Sequence, residues 1–199
     1  MHLDQISSES IILAYNNLSC SLLFLKNVVR SKYLDLSGNQ WEYNSKADIL
    51  PDQLTTFRCE YCGLKGSFDI WIRRDSDIEL YLSGNLFNKI PDLDGSTLRV
   101  LDLSNNPINT GAEVVLPFDK LGKLTDLDLS FTGLSGDIPS FLFNLQSLKL
   151  AHNNLSSLLP ISLFSPLREL DLSFNDILVL IYVKFILNIG WLLFLFSII

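Results

Sequence analysis

Apolar positions along this chain fall into a short figure that returns at intervals of roughly 21 to 26 residues. In the clearest copies, leucines hold the first, fourth and sixth slots, an asparagine the ninth, and a leucine or isoleucine the eleventh. These copies are Leu98-Leu101-Leu103-Asn106-Ile108, Leu145-Leu148-Leu150-Asn153-Leu155 and Leu167-Leu170-Leu172-Asn175-Ile177. Slots four and six straddle a polar residue, which predicts a short strand turning its apolar side chains to one face. The first-slot leucine enters the same interior from the bend before the strand. One such unit has too little surface to cover its own apolar face, so the units are predicted to stack and share a core.

Weaker copies extend the pattern. Thr132 takes the asparagine slot in Leu124-Leu127-Leu129-Thr132-Leu134, and Cys62 takes it in Leu54-Phe57-Cys59-Cys62-Leu64. Asp77-Leu80-Leu82-Asn85-Phe87 carries a charge in the first slot. Ser31-Leu34-Leu36-Asn39-Trp41 and Ser8-Ile11-Leu13-Asn16-Leu18 are the least regular. The fourth-slot column then reads Ile11, Leu34, Phe57, Leu80, Leu101, Leu127, Leu148 and Leu170, or about eight units. The ninth-slot asparagine is expected to be buried and to bond backbone groups of the neighbouring turn, since buried polar groups need partners. Glycine and proline recur after the strands, as in Gly133-Leu134-Ser135-Gly136-Asp137-Ile138-Pro139, Leu64-Lys65-Gly66-Ser67-Phe68, Asn88-Lys89-Ile90-Pro91 and Leu158-Leu159-Pro160. They set a sharp change of direction at one phase of the repeat.

These motifs resemble the plant-specific class of leucine-rich repeats. The matches are Leu101-Asp102-Leu103-Ser104-Asn105-Asn106, Leu127 through Pro139, and Leu170-Asp171-Leu172-Ser173-Phe174-Asn175. With Cys62-Gly63-Leu64-Lys65-Gly66-Ser67-Phe68 and Leu13-Ala14-Tyr15-Asn16-Asn17, the wording over residues 8 to 177 is similar to the receptor-like proteins of plant cell surfaces. The resemblance implies an α/β-type solenoid, a right-handed superhelix with a short parallel sheet on its concave face. It also implies ligand recognition without catalysis, in defence or developmental signalling through a partner kinase. The expected organisation is a degenerate N-terminal repeat without a cap over 1–30, leucine-rich repeats over 31–177, and a transmembrane-like helix over 178–199.

Full-length members of that family begin with a signal peptide and a cysteine-paired cap. Met1-His2-Leu3-Asp4 has no basic stretch, and Asn16, Asn17 and Ser19 interrupt the apolar run from Ile11 to Leu25. The simplest expectation is a truncated product. After Asn175 an apolar run replaces the expected turn. Between 178 and 196 about fourteen Leu, Ile, Val or Phe residues favour insertion by roughly −4 to −8 kcal/mol. Lys184 offsets at most about 3 kcal/mol of this. The stretch is long enough to cross a bilayer as a helix, and membrane attachment through residues 178–199 is the expectation. The family's topology then puts the repeats outside the cell at the plasma membrane. The sequons Asn17-Leu18-Ser19 and Asn154-Leu155-Ser156 offer glycosylation at Asn17 and Asn154.

A net charge of −7 and a pI near 4.7 argue against a nucleic-acid partner, which needs a basic face. Cys59 and Cys62 fall in interior slots, so structural burial is the first reading. With only His2 and His152 and no second Cys-x-x-Cys, the sequence offers no recognisable zinc set, and neither a metal nor a cofactor is expected. Cys20 has no assigned role. No nucleophile has a visible base, so no catalytic residue is proposed.

Function is therefore sought on the concave face. Its fifth-slot column reads Asp35, Arg58, Tyr81, Asp102, Asp128, Lys149, Asp171, and its eighth-slot column Gly38, Tyr61, Gly84, Asn105, Phe131, His152, Phe174. Aromatics and arginine dominate binding energy at interfaces. Arg58, Tyr61 and Tyr81 form one candidate patch; Phe131, Lys149, His152 and Phe174 form a second. Packing between neighbouring rings is the plainer role for the aromatics. The expected ligand is a peptide, protein or glycan, with a co-receptor kinase as signalling partner. Alternatives are an inhibitor resembling the polygalacturonase-inhibiting proteins, or a non-functional receptor fragment.

Overall fold

The computed structural model describes residues 7–42, 50–66, 77–90, 97–108, 123–136, 144–156, 167–177 and 193–195. Its main sheet holds nine strands, hydrogen-bonded in chain order. They are β1 (Ser10–Ile12), β2 (Tyr33–Asp35), β3 (Thr56–Arg58), β4 (Ile78–Tyr81), β5 (Leu98–Asp102), β6 (Asp126–Asp128), β7 (Ser147–Lys149), β8 (Glu169–Asp171) and β9 (Leu193–Leu195). Every neighbouring pair is parallel. Parallel neighbours need a crossover between them, and one coil of the repeat supplies each. The fourth-slot residues stand opposite one another in register from Ile11 through Leu34, Phe57, Leu80, Leu101, Leu127 and Leu148 to Leu170, as the repeat spacing predicts. Shorter parallel pairs, such as Lys65–Gly66 with Leu86–Phe87 and Ser135–Gly136 with Asn154–Leu155, link the segments after the strands.

The interior is the stack of these rungs. Leu34, Phe57, Leu80, Leu101, Leu127, Leu148 and Leu170 are buried in slot four, and Leu36, Cys59, Leu82, Leu103, Leu129, Leu150 and Leu172 in slot six. Leu54, Leu98, Leu124, Leu145 and Leu167 close it from slot one. Each buried aliphatic side chain of this kind contributes roughly 1.5–3 kcal/mol.

The ninth-slot asparagines form a ladder beside the core. Asn85 Oδ1 accepts from the backbone N–H groups of Cys62 (3.1 Å) and Leu64 (3.0 Å) in the preceding coil. Its Nδ2 donates to the carbonyls of Cys59 (2.7 Å) in that coil and Leu82 (2.9 Å) in its own. Asn39 and Asn153 repeat this arrangement in full. One amide thus satisfies four backbone groups, each of which would cost about 1–3 kcal/mol if left bare and buried.

Four expectations need correcting or completing. Ile78, not Asp77, fills the first slot of its coil: Ile78 is buried opposite Leu98, and a register shift absorbs the extra residue Arg99 of β5. Asp77 instead lies exposed and pairs with Lys123 at 3.0 Å. Among the described residues the helical segment is a single 3-10 helix, Leu22–Asn27, so the described coils make a β-solenoid rather than an α/β one. Cys59 and Cys62 are buried as expected, and they are joined in a disulfide, leaving Cys20 free and exposed. In the apolar tail, Leu193–Leu195 is a strand and not part of a helix; its central residue, Phe194, stands opposite Leu170. The rest of 178–199 lies outside the described residues, as do the return segments beyond Gly66 and Gly136 and residues 1–6. Among the described residues no helix is long and apolar enough to cross a membrane.

Candidate ligand-binding face

Side chains alternate across a strand, so burying slots four and six turns slots three and five outward. On that face the fifth-slot residues stand in register: Asp35 beside Arg58, Arg58 beside Tyr81, Tyr81 beside Asp102, Asp102 beside Asp128, Asp128 beside Lys149, and Lys149 beside Asp171. The aspartates have a local task. Asp35, Asp102, Asp128 and Asp171 each accept the backbone N–H of the serine two residues on, at 2.9–3.0 Å, which ends the strand. This explains aspartate as the residue of choice in that slot without invoking a ligand.

The basic and aromatic residues of the column interrupt the acidic row. The Arg58 guanidinium lies 3.7 Å from the centroid of the Tyr81 ring and pairs with Glu60 at 2.8 Å. Arg99 pairs with Glu79, and Lys149 with Glu169 at 3.2 Å. Between them an open hollow of about 360 Å³ is lined by Tyr81, Arg99, Val100, Asp102, Asp126, Asp128, Ser147, Lys149 and Glu169. Burial raises the carboxyl groups of Asp102 and Asp128 above the ordinary range, only partly offset by the hydrogen bonds from Ser104 and Ser130. The charge of Glu60 adds to the rise at Asp102, and that of Asp102 to the rise at Asp128. Burial alone would lower Lys149, but the hydrogen bond and charge of Glu169, with Asp128 and Asp171, raise it.

The eighth-slot residues form a separate row. Tyr15, Gly38, Tyr61, Gly84, Asn105, Phe131, His152 and Phe174 all have φ between +53° and +66°. Bulky residues are rare in this left-handed region, at a cost of about 1–2 kcal/mol each. Ring contacts along the row offset it. The His152 ring is stacked between Phe131 and Phe174, with centroids 4.0 and 3.9 Å apart, and such pairs contribute about 0.5–1.5 kcal/mol. Tyr61 lies over Gly84 and Tyr15 over Gly38, where a Cβ would stand 2.3 and 2.2 Å from the ring. Tyr61, Phe131 and Phe174 remain 51–57% exposed, so the row keeps aromatic surface open to solvent.

The seven candidates thus sort by slot rather than into the two expected patches. Arg58, Tyr81 and Lys149 share the sheet face; Tyr61, Phe131, His152 and Phe174 line the left-handed row. Tyr61 seats on Gly84, and Lys149 pairs with Glu169. Sequence reasoning left Glu79, Arg99 and Glu169 out of the site. Their positions in slots two and three were the available signal. Gly38, Gly84 and Asn105, residues at ease with positive φ, were the signal for the second row. Asn17 and Asn154 are exposed and both occupy slot ten, directly after a ladder asparagine. Among the described residues no three His, Cys, Asp or Glu gather to hold a metal ion.

Stacked parallel coils with an asparagine ladder define a leucine-rich repeat solenoid. Models of the Leucine Rich Repeat family match residues 97–118, 123–145 and 144–165, and a further Leucine Rich repeat model matches 165–177. The chain belongs to the leucine-rich repeat proteins. Among curated relatives it is similar to Receptor-like protein 54 of Arabidopsis thaliana, 32% identical over 154 residues, or 71% of this chain and 19% of that protein. The chain thus spans about a fifth of the length of that relative. Among solved structures, a leucine-rich repeat protein of Leptospira interrogans superposes with a TM-score of 0.65 at 25% identity, over 81% of this chain and 42% of that one. The ectodomain of the plant membrane receptor kinase GASSHO1/SCHENGEN3 from Arabidopsis thaliana, in complex with CASPARIAN STRIP INTEGRITY FACTOR 2, shares the fold. Its TM-score is 0.60 at 23% identity, over 85% of this chain and 27% of that one.

Proposed function

We propose that the outward face of the nine-stranded sheet recognises a peptide or protein ligand, as part of a cell-surface receptor-like protein. The observation that carries this reading is the fifth-slot row itself. Residues of differing charge and size, Arg58, Tyr81, Asp102 and Lys149, stand in register around an open hollow on a rigid sheet. Many shallow contacts of this kind sum over an extended surface. Similarity to Receptor-like protein 54 supports the receptor setting. Within it, the repeats lie outside the cell, Asn17 and Asn154 accept N-glycans, and a separate kinase carries the signal in defence or development.

Selection of a random displayed peptide library on the full chain tests the reading. Binders are expected to lose at least about tenfold affinity on a Y81A/K149A variant, and to keep it on K65A/L86A, which alters the short strands away from the face. Binders that depend only on Lys65 and Leu86 would overturn it.

A further inference from the structure

We propose that the hollow across β5 and β6 seats a lysine or arginine side chain of an extended, positively charged peptide segment. The inference rests on the recognition reading above and names the chemistry of its ligand. It is argued from charge complementarity. Asp102, Asp126, Asp128 and Glu169 line the hollow against Arg99 and Lys149. Both of those cations already have partners, Glu79 for Arg99 and Glu169 for Lys149. The nearby Arg58 is held by Glu60 and the Tyr81 ring. Among the described residues, Asp102, Asp126 and Asp128 are therefore left without an ion-pair partner.

Asp102 and Asp128 face each other directly across adjacent parallel strands, whose spacing is about 4.8 Å. In-register side chains on neighbouring strands project side by side, so the two carboxylates repel each other, and their half-burial weakens the screening by water. One cation placed between them would contact both and convert the repulsion into attraction. A volume of about 360 Å³ admits one long side chain and leaves the rest of a ligand on the open face. The bidentate geometry of guanidinium suits a pair of carboxylates, and an ammonium suits them as a point charge. The carboxyls of Asp102 and Asp128 are raised first by burial, the charge of Asp102 adds to the rise at Asp128, and Lys149 offsets both only in part, so a further cation would be favoured there.

The test uses three fluorescent nonapeptides, polylysine, polyglutamate and a glycine-serine control, titrated onto the full chain near pH 7 and followed by anisotropy. Polylysine should bind and the other two should not, with affinity falling between about 50 and 300 mM salt. D102N/D128N keeps the Oδ1 acceptors for Ser104 and Ser130 and should weaken polylysine at least about tenfold. Removing acids at the far end with E9Q/D35N should change it less than about twofold. Equal weakening by both variants, or by neither, overturns the proposal, because the attraction would then belong to the acidic chain as a whole. Spermine binding to the hollow while polylysine does not would also overturn it, assigning the hollow to small polyamines. If library-selected peptides need Tyr81 and Lys149 but carry no excess of lysine or arginine and ignore D102N/D128N, the charge inference alone fails. If no selected peptide depends on the sheet face, the recognition reading fails.

Discussion

The indole Nε1 of Trp41 donates to the carbonyl oxygen of Leu36 at 2.9 Å, in the place that the next coil's asparagine fills elsewhere in the ladder. Leu82 O, for comparison, accepts from Asn85 and from Asn106 of the following coil. The coil after Leu36 has Cys62 in the ninth slot, tied to Cys59, and offers no amide. Trp41 N–H meanwhile donates to the Cys62 carbonyl at 3.2 Å. Trp41→Phe should therefore lose about 1–3 kcal/mol of stability in urea unfolding. In a C59A/C62N background, where an amide returns to the ladder, the same change should cost clearly less. Equal losses in both backgrounds would show that the indole acts through its volume alone.

Gly84 and Tyr61 are coupled by contact. Gly84→Ala places a methyl group 2.3 Å from the Tyr61 ring, in a backbone conformation of φ +65°. The ring has to move and the strain remains, so a loss of roughly 2–3 kcal/mol is expected. Made together with Tyr61→Ala, Gly84→Ala should cost only the backbone part, about 1–2 kcal/mol. A thermal-denaturation double-mutant cycle reads the difference.

Acidity should stabilise the chain through Asp102 and Asp128. Their folded carboxyls hold protons more tightly than an ordinary aspartate, of pKa 3.8, chiefly because burial disfavours the charge. The penalty is present while both are ionised, above the raised folded values. It fades as pH falls through them toward 3.8. D102N/D128N should accordingly melt at a higher temperature than the parent near pH 7. The gap should close near pH 4. A gap that widens on acidification would contradict the cause given for the shift.

Phe57 is fully buried in a column otherwise made of leucine and isoleucine. Phe57→Ala should cost about 3–5 kcal/mol, through lost burial and the cavity left behind. Because neighbouring coils share that rung, amide-exchange protection should fall in β2 and β4 as well as in β3. Loss confined to β3 would mean that the coils are not coupled through the core.

The fourth-slot column was legible from sequence to the residue, because a slip of one position would turn every apolar side chain to water. Ile78 was missed because a bulge at Arg99 breaks the count that the spacing assumes. The Cys59–Cys62 bond was not specified, since interior slots predict burial, and a pair of thiols and a disulfide satisfy burial alike. Slot arithmetic identified both rows of candidate residues, but it carries no information on ring direction. Tyr61 was therefore grouped with Tyr81 when its ring rests on Gly84. In the tail, apolar composition pointed to a helix, although a continuous apolar run suits a strand as well, and Leu193–Leu195 is a strand.

Among the described residues, the ladder amides of Asn39, Asn85, Asn106, Asn153 and Asn175 each reach back to the preceding coil. Asn39 completes the turn at Asn16 and Leu18, Asn85 that at Cys62 and Leu64, and Asn153 that at Thr132 and Leu134. Stability is consequently polar along the stack. Peeling a coil from the amino-terminal side frees an amide that water readily solvates. Peeling one from the other side instead takes away the amide that completed the preceding turn, leaving two backbone N–H groups and a carbonyl there to find new partners.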